Sequence, residues 1–360
     1  NIYFDDNGVC NYCHQIDELK EIYGTGKQKG IDLLTEIIRK IKREGLNKKY
    51  DCIVGVSGGT DSSYLIYLAK KWGLRPLAVH FDNTWNTAIA TTNIHKVLKA
   101  LDIDLYTHVV NNKEMDDIIR SFILAGVAET EAATDMGYAY LLRLVAKKYS
   151  ISYILEGHSF TEEGITPIGR NYFDGKYIQS IHKKFGKLKL KTYPLMTFSR
   201  FMRSILLDRV KFIRPLWYIN YSKLEAHKFL IKEFGWKYYG GHHLESRSAA
   251  FFHSIYLPTK FNSDFRNNSI SCKVRNGIIT RTEGWEEYNT PKTPDPHLLN
   301  YVKKRLNFSE EEYSQIMKQE PKSWKDYPTY KRRFKLLRPL FYLLSKAKLV
   351  PISFYLKYCF

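Results

Sequence analysis

The sequence predicts an α/β fold, a parallel sheet with helices on both faces, and three observations carry that prediction. Residues 51–155 alternate short apolar runs with stretches of helical period, the order that builds a parallel sheet. The run Cys52-Ile53-Val54-Gly55-Val56 is almost continuously apolar, as a central strand covered on both faces must be. It breaks into Ser57-Gly58-Gly59-Thr60-Asp61-Ser62 before the next helical stretch, and strand, polar turn and helix in that order open a βαβ unit.

Residues 1–25 contain Gly8-Val9-Cys10-Asn11-Tyr12-Cys13-His14. A Cys-x-x-Cys turn gives two ligands to a structural zinc; a redox pair and two unligated cysteines are its other readings. Ile31, Leu34, Ile37, Ile38 and Ile41 keep a helical period and predict a packing helix over 29–44. Strands are expected at 51–56, 76–81, 104–110 and 151–155, with helices at 64–72 and 91–101 and a longer helical region over 115–148. Ligands of open α/β sheets bind beyond the carboxyl ends of the strands, which gathers the loop 57–62, His80, Phe81, Asp82, Gly157 and His158 at one crevice. A basic, loop-rich segment runs from 182 to 214. Ser222 and Glu225 then form a capping box for a helix that stops at Gly235. Short helices and turns follow, and residues 331–360 are basic, lack acids and carry apolar runs. The organisation expected is a knuckle segment at 1–25, a nucleotide-binding domain at 26–235, a mainly helical substrate-side region at 236–330 and a basic amphipathic tail at 331–360.

Composition bounds the function. A 360-residue chain with 44% hydrophobic residues has ample core, and five cysteines do not make a secreted disulfide scaffold. No spanning apolar stretch or signal peptide is visible, so a cytoplasmic location is expected. The net charge of +19 points to an anionic partner, although Lys, Asn, Ile and Tyr abound throughout, as an AT-rich coding sequence alone would produce. The tail is expected to lie at the inner face of the membrane, with Lys331, Arg332, Arg333 and Arg338 at the head groups. Docking of that tail on the protein's own body is the other reading.

Ser57-Gly58-Gly59 lets backbone approach a ligand closely and aims successive N–H groups at it, while the following helix adds its positive end. No Gly-Lys-Ser/Thr follows, and Gly-x-Gly-x-x-Gly is absent. The stretch resembles the Ser-Gly-Gly-x-Asp-Ser loop of the ATP pyrophosphatases, the PP-loop enzymes, which split ATP into AMP and pyrophosphate. Ser57, Gly58, Gly59, Thr60, Asp61 and Ser62 are then the phosphate ligands, with His80, Phe81, Asp82 and Gly157 bracketing the rest of the nucleotide. Asp61 and Asp135 are candidates for Mg2+ or its waters, being hard oxygen donors, and Glu163 for metal or a proton. A helix cap at either aspartate and a solvated loop acid at Glu163 are the plainer readings.

Taken together, Gly8–Cys13, Tyr50–Gly59, Gly157-His158-Ser159-Phe160 with Glu163-Gly164, Asp174-Gly175, Arg214-Pro215-Leu216, Gly240-Gly241 with His243 and Glu245-Ser246, and Leu257-Pro258 with Lys260-Phe261 resemble the N-acetyl sugar amidotransferase family. Those PP-loop enzymes serve surface-polysaccharide and nonulosonic acid biosynthesis. The resemblance covers nearly the whole chain and departs from the family at Thr60, where Lys is usual, at Thr161-Glu162, where Arg-Thr is usual, and at the partly basic Arg266-Asn267-Asn268. It implies an earlier cysteine pair, hence a start upstream of Asn1 and two further zinc ligands for Cys10 and Cys13. It also implies conversion of a sugar acetamido group to an acetamidino group through adenylation by ATP, with Mg2+. On that reading His158, His243 and Glu245 face the sugar, and Lys183, Arg247, Lys260 and Arg281 contact the carboxylate or diphosphate of an anionic sugar nucleotide. No cysteine has a nucleophile-elbow setting, so ammonia is expected from a partner glutaminase, with a barrel-type synthase partner beside it. The alternatives are a PP-loop enzyme modifying transfer RNA, against which stands the lack of an RNA module, and a non-catalytic basic scaffold on membrane or nucleic acid. Nucleic acid is not the expected partner.

Overall fold

The computed structural model describes residues 2–165, 172–240, 244–290, 295–347 and 349–360. Five parallel strands, β1 (Cys52–Gly55), β2 (Pro76–Asp82), β3 (Leu105–Val109), β4 (Tyr153–Leu155) and β5 (Lys211–Ile213), form one sheet in the order β3-β2-β1-β4-β5. β1 is central, with Ile53 in register with Leu77 on one side and Ile154 on the other. Its side chains alternate between two cores, as a pleated strand requires. Cys52, Val54 and Val56 pack with Ile41, Leu65, Ile66, Val97, Leu230 and Trp236, whereas Ile53 joins Phe122, Leu141, Val145, Tyr177 and Ile181.

The helices behind those residues are α1 (Asn11–Tyr23), α2 (Gln28–Glu44), α3 (Thr60–Lys71), α4 (Ala88–Leu101), α5 (Asn112–Ala125), α6 (Ala132–Lys148), α7 (Gly175–Phe185), α8 (Phe198–Arg203) and α9 (Lys223–Phe234). Both faces of the sheet are therefore covered, as the sequence predicts. Ser222 accepts the Glu225 N–H, and Gly235 ends α9 with φ 59°. The region expected as one long helix over 115–148 is two, because α5 stops at Gly126 with φ 67°. That break places Asp135 in the first turn of α6. β5 lies inside the segment expected as loops. Its residues Lys-Phe-Ile carry no alternation to mark them, and pairing with β4 supplies the order.

Residues 245–360 are mainly helical among those described. The tail docks on the body: Phe334, Phe341, Leu344, Val350, Tyr355 and Cys359 share a core with Ile205 and Tyr330. Asp174 anchors this arrangement, capping α7 through the Tyr177 N–H (2.8 Å) and accepting from Tyr172 Oη (2.7 Å) and the Tyr330 N–H (2.7 Å). The expected head-group contacts are modified accordingly, since Lys331 Nζ donates to the Lys357 carbonyl (2.7 Å) and Arg338 lies 3.7 Å over the Phe360 ring.

Candidate active site

A cleft of about 500 Å³ opens beyond the carboxyl ends of β1, β2 and β4, floored by the loop after β1. At Gly58, φ is +82° and an added Cβ would stand 2.3 Å from the Ala90 carbonyl oxygen, so the turn admits only glycine. Gly59, the N-cap of α3, has no side chain to cap the helix, which leaves the first-turn N–H groups to a ligand. Ser57 Oγ accepts the Gly59 N–H (3.2 Å), and Ser62 Oγ meets Ser57 Oγ at 3.3 Å, which closes the loop on itself. His80 fastens it from β2: its Nδ1 donates to the Val56 carbonyl (2.8 Å) and its Nε2 receives Asn86 Nδ2 (3.3 Å). Burial lowers the His80 pKa, which fits that neutral tautomer.

Asp61 projects from the first turn of α3 into a cluster that the sequence does not announce. Tyr221 Oη donates to Oδ1 at 2.5 Å and Lys223 Nζ to Oδ2 at 2.7 Å. Lys223 also stands 3.5 Å from Glu163, which lies 4.0 Å from His158 Nε2. Burial pushes the Asp61 carboxyl up, but Lys223 and the hydrogen bonds outweigh it and hold the group below its ordinary pKa. Burial likewise pulls the Lys223 ammonium down, and Asp61 and Glu163 outweigh that and raise it. Asp61 is thus a carboxylate and Lys223 an ammonium across the physiological range. His158 is lowered, first by burial, and its Nδ1 accepts from Trp217 Nε1 at 3.3 Å, leaving the proton on Nε2 towards Glu163.

The walls are rich in carboxylates. Asp61, Glu131, Asp135, Glu156, Glu163 and Glu245 line the cleft against Lys223 and Arg214, and Arg214 is engaged with Glu156 at 2.9 Å. A backbone of unpaired first-turn N–H groups facing such walls fits a polyanionic nucleotide accompanied by a hard divalent cation, and the carboxylates of Asp61, Asp135 and Glu163 line that cleft without being drawn together as a three-ligand set.

Of the predicted residues, the structure gathers Ser57, Gly59, Asp61, Ser62, His80, Phe81, Asp135, Gly157, His158, Glu163 and Glu245 along this cleft. Gly58 shapes the turn from behind. Thr60 is buried, its hydroxyl 2.5 Å from His227 Nε2, so it faces α9. Asp82 Oδ1 accepts the Thr84 N–H (2.7 Å), which builds the turn after β2. The expected diphosphate contacts do not line the cleft. Lys183 is exposed on α7, and Arg281 is exposed at the start of helix Arg281–Asn289. Arg247 lies 4.8 Å over Tyr301, and buried Lys260 donates to the Ile316 (2.6 Å) and Gln319 (2.7 Å) carbonyls. His243 lies outside the described residues. Cys10 and Cys13 place their Sγ atoms 3.3 Å apart, away from the cleft, and His14 turns to Asp5 (2.7 Å). Among the described residues no group of three or more His, Cys, Asp or Glu is arranged to hold a metal.

Sequence reasoning missed Lys223, Tyr221, Glu131 and Tyr239. The signal available was the Ser222 cap itself: residues at a helix start just after Arg214-Pro215-Leu216 stand beside a sheet's carboxyl edge. Glu162 fixes that start by accepting the Lys223 N–H at 2.7 Å, so one loop positions Glu163 and α9 together.

Residues 245–340 match the family model described as LPS biosynthesis protein WbpG-like, C-terminal domain. No curated protein matches the chain. Solved structures similar to it include the NMN synthetase from Francisella tularensis (12% identity, TM-score 0.37, covering 78% of this chain and 95% of that one). The NH3-dependent NAD synthetase from Campylobacter jejuni subsp. jejuni, in complex with the nitrate ion, is similar at 14% identity and TM-score 0.34, covering 81% and 97%. The U34-tRNA thiolase NcsA from Methanococcus maripaludis, with its [4Fe-4S] cluster, is similar at 13% identity and TM-score 0.35, covering 78% and 90%.

Proposed function

We propose that this chain is an ATP-dependent, AMP- and pyrophosphate-forming amidotransferase of PP-loop type that converts the acetamido group of an anionic N-acetylated sugar into an acetamidino group. The observation that carries the reading is the glycine loop at the carboxyl end of the central strand, with Asp61 in the next helical turn and Asp135 and Glu163 lining the same cleft. The match of residues 245–340 to a lipopolysaccharide-biosynthesis family model supports a surface-sugar precursor as substrate.

An acetamide carbonyl is a poor electrophile with a poor leaving oxygen. Its oxygen attacks the α-phosphorus of ATP and pyrophosphate leaves; ammonia then adds at the carbon, and AMP departs with that oxygen. The first-turn N–H groups of α3, residues 60–62, stabilise the charge that builds on pyrophosphate. Lys223 supplies the cation that Thr60 does not. Asp61, with Asp135 or Glu163, would hold Mg2+, which when bound would offset phosphate charge. Glu163, with the His158 Nε2–H directed towards it, is the group that takes the proton released as ammonia adds.

We read the ammonia as coming from another protein. The Cys52 thiol is fully buried and pushed far up, and Cys272 and Cys359 are pushed up to about 11, chiefly by burial. Thiols so held are not nucleophiles, so the reading includes a partner glutaminase, and Cys10 with Cys13 as half of a structural zinc site. The test is AMP and pyrophosphate release with ammonium salt or glutamine, in the presence of acetamido sugar nucleotides, transfer RNA or neither. Sugar-dependent AMP with ammonium but not glutamine is expected. Turnover that requires transfer RNA would overturn the sugar assignment, and turnover with glutamine alone would overturn the partner.

A further inference from the structure

We propose that the C-terminal helices dock the protein on an anionic phospholipid surface, with Leu336, Leu340 and Leu343 entering the headgroup boundary and Arg332, Arg333 and Lys335 meeting the phosphates. Docking on the body uses only the inward face of these helices. Phe334 of helix Lys331–Leu336, and Phe341 and Leu344 of helix Arg338–Lys346, are at most 6% exposed. The opposite positions are open: Leu336 is 73%, Leu340 37% and Leu343 64% exposed. On the last helix, Ile352–Tyr358, and just past its end, Ile352, Leu356 and Phe360 repeat the pattern at a spacing of four residues.

Single exposed leucines are ordinary on a protein surface. Here they recur at helical spacing, and the charge around them has one sign. Residues 327–360 contain Lys and Arg but no Asp or Glu, and Arg332, Arg333, Lys335 and Lys346 are exposed. An apolar stripe whose own segment carries only cations complements a surface that offers apolar depth below a layer of phosphates, the arrangement of an interfacial helix. Among the described residues no helix is long and apolar enough to cross a membrane, so the mode is to lie on the surface. The inference does not depend on the reaction proposed above, since none of these residues lines the cleft.

The test is co-sedimentation of the full chain with vesicles of neutral phosphatidylcholine, and with vesicles that also contain anionic phosphatidylglycerol, from low salt to about 1 M, where the screening length falls to about 3 Å. Binding is expected only to the anionic vesicles and should be lost at high salt. Leu336→Ser with Leu343→Ser should lower the partition coefficient by about ten-fold or more without moving the thermal midpoint, because both side chains are exposed. Arg332→Glu with Arg333→Glu should do the same. No binding to anionic vesicles, or binding indifferent to the two leucines, would overturn the proposal. A leucine variant that instead changes the sedimenting mass of the free protein would also overturn it, by showing that a second copy covers the stripe.

Discussion

Lys223→Met is the perturbation that separates the Asp61 cluster from an incidental ion pair. Removing one partner of a fully buried pair costs about 3–5 kcal/mol. The side chains of Lys223 and Asp61 keep 23% and 17% exposure, so solvent screening brings the expected cost to about 2–3 kcal/mol. An unfolding entropy of about 2.1 cal/mol/K per residue over 360 residues turns that into a fall of about 3–4 °C in melting temperature. Adding Asp61→Asn to Lys223→Met should restore about 1–2 kcal/mol, because the stranded carboxylate is then gone. The sign of the pH dependence follows from the two shifts. Asp61, held low, contributes stability above its unfolded value that is lost as pH falls through its folded value. Lys223, held high, contributes stability below its unfolded value that is lost as pH rises through its folded value. The difference between wild type and variant should therefore be flat from about pH 5 to 9. Differential scanning calorimetry of the four proteins measures the cycle, and AMP formation should fall about 100-fold in Lys223→Met. Additive melting shifts, or a variant that turns over ATP at the wild-type rate, would refute the reasoning.

Gly58→Ala should abolish AMP formation and cost about 1–3 kcal/mol, since its φ of +82° and the Ala90 carbonyl 2.3 Å from an added Cβ both oppose a side chain; chemical denaturation and an ATP-binding assay check the two effects. Lys260→Met should lower stability by about 1.5–3 kcal/mol while leaving the sugar KM unchanged, because its ammonium serves the Ile316 and Gln319 carbonyls; a raised KM without a melting shift would return it to the substrate. Zinc analysis of the protein should find metal that is lost in Cys10→Ser with Cys13→Ser, and a metal-free protein would remove the knuckle assignment.

The sheet was legible because its strands write their own pattern. Cys52 to Val56 and Pro76 to Phe81 are apolar on both faces, and glycine marks the turn between the first strand and α3. β5 was not legible: three residues, one of them lysine, are ordered by β4 rather than by their own periodicity. Within the site, residues adjacent to strand ends (Asp61, His80, His158, Glu163) fell where topology puts them. The cations did not. Lys183, Arg247, Lys260 and Arg281 are expected at the substrate from the resemblance and from their charge, and neither records which way a side chain faces. Lys223 was passed over because a cap motif accounts for its neighbourhood without assigning it work.

The motifs of the C-terminal half stand far in sequence from the glycine loop, yet the structure gives them a single mechanical task. Helix Arg266–Arg275 and the residue after it grip the loop that carries Glu163: Asn268 Nδ2 donates to the Glu163 carbonyl (2.9 Å), Cys272 Sγ to the Phe160 carbonyl (3.0 Å) and Asn276 Nδ2 to the Thr161 carbonyl (3.1 Å). On the other side of the cleft the Thr87 N–H binds the Glu245 carbonyl (2.9 Å) and the Arg247 N–H the Trp85 carbonyl (2.9 Å), which fixes Glu245 and Ser246 against the end of β2. Backbone carbonyls held by buried or half-buried donors cannot drift without leaving polar groups unpaired. The segment matched by the lipopolysaccharide-biosynthesis model therefore sets the spacing between Glu163, Glu245 and Asp61, and with it the width of the cleft. That is why a helix with no side chain in the cleft belongs to the same constellation as the loop that floors it.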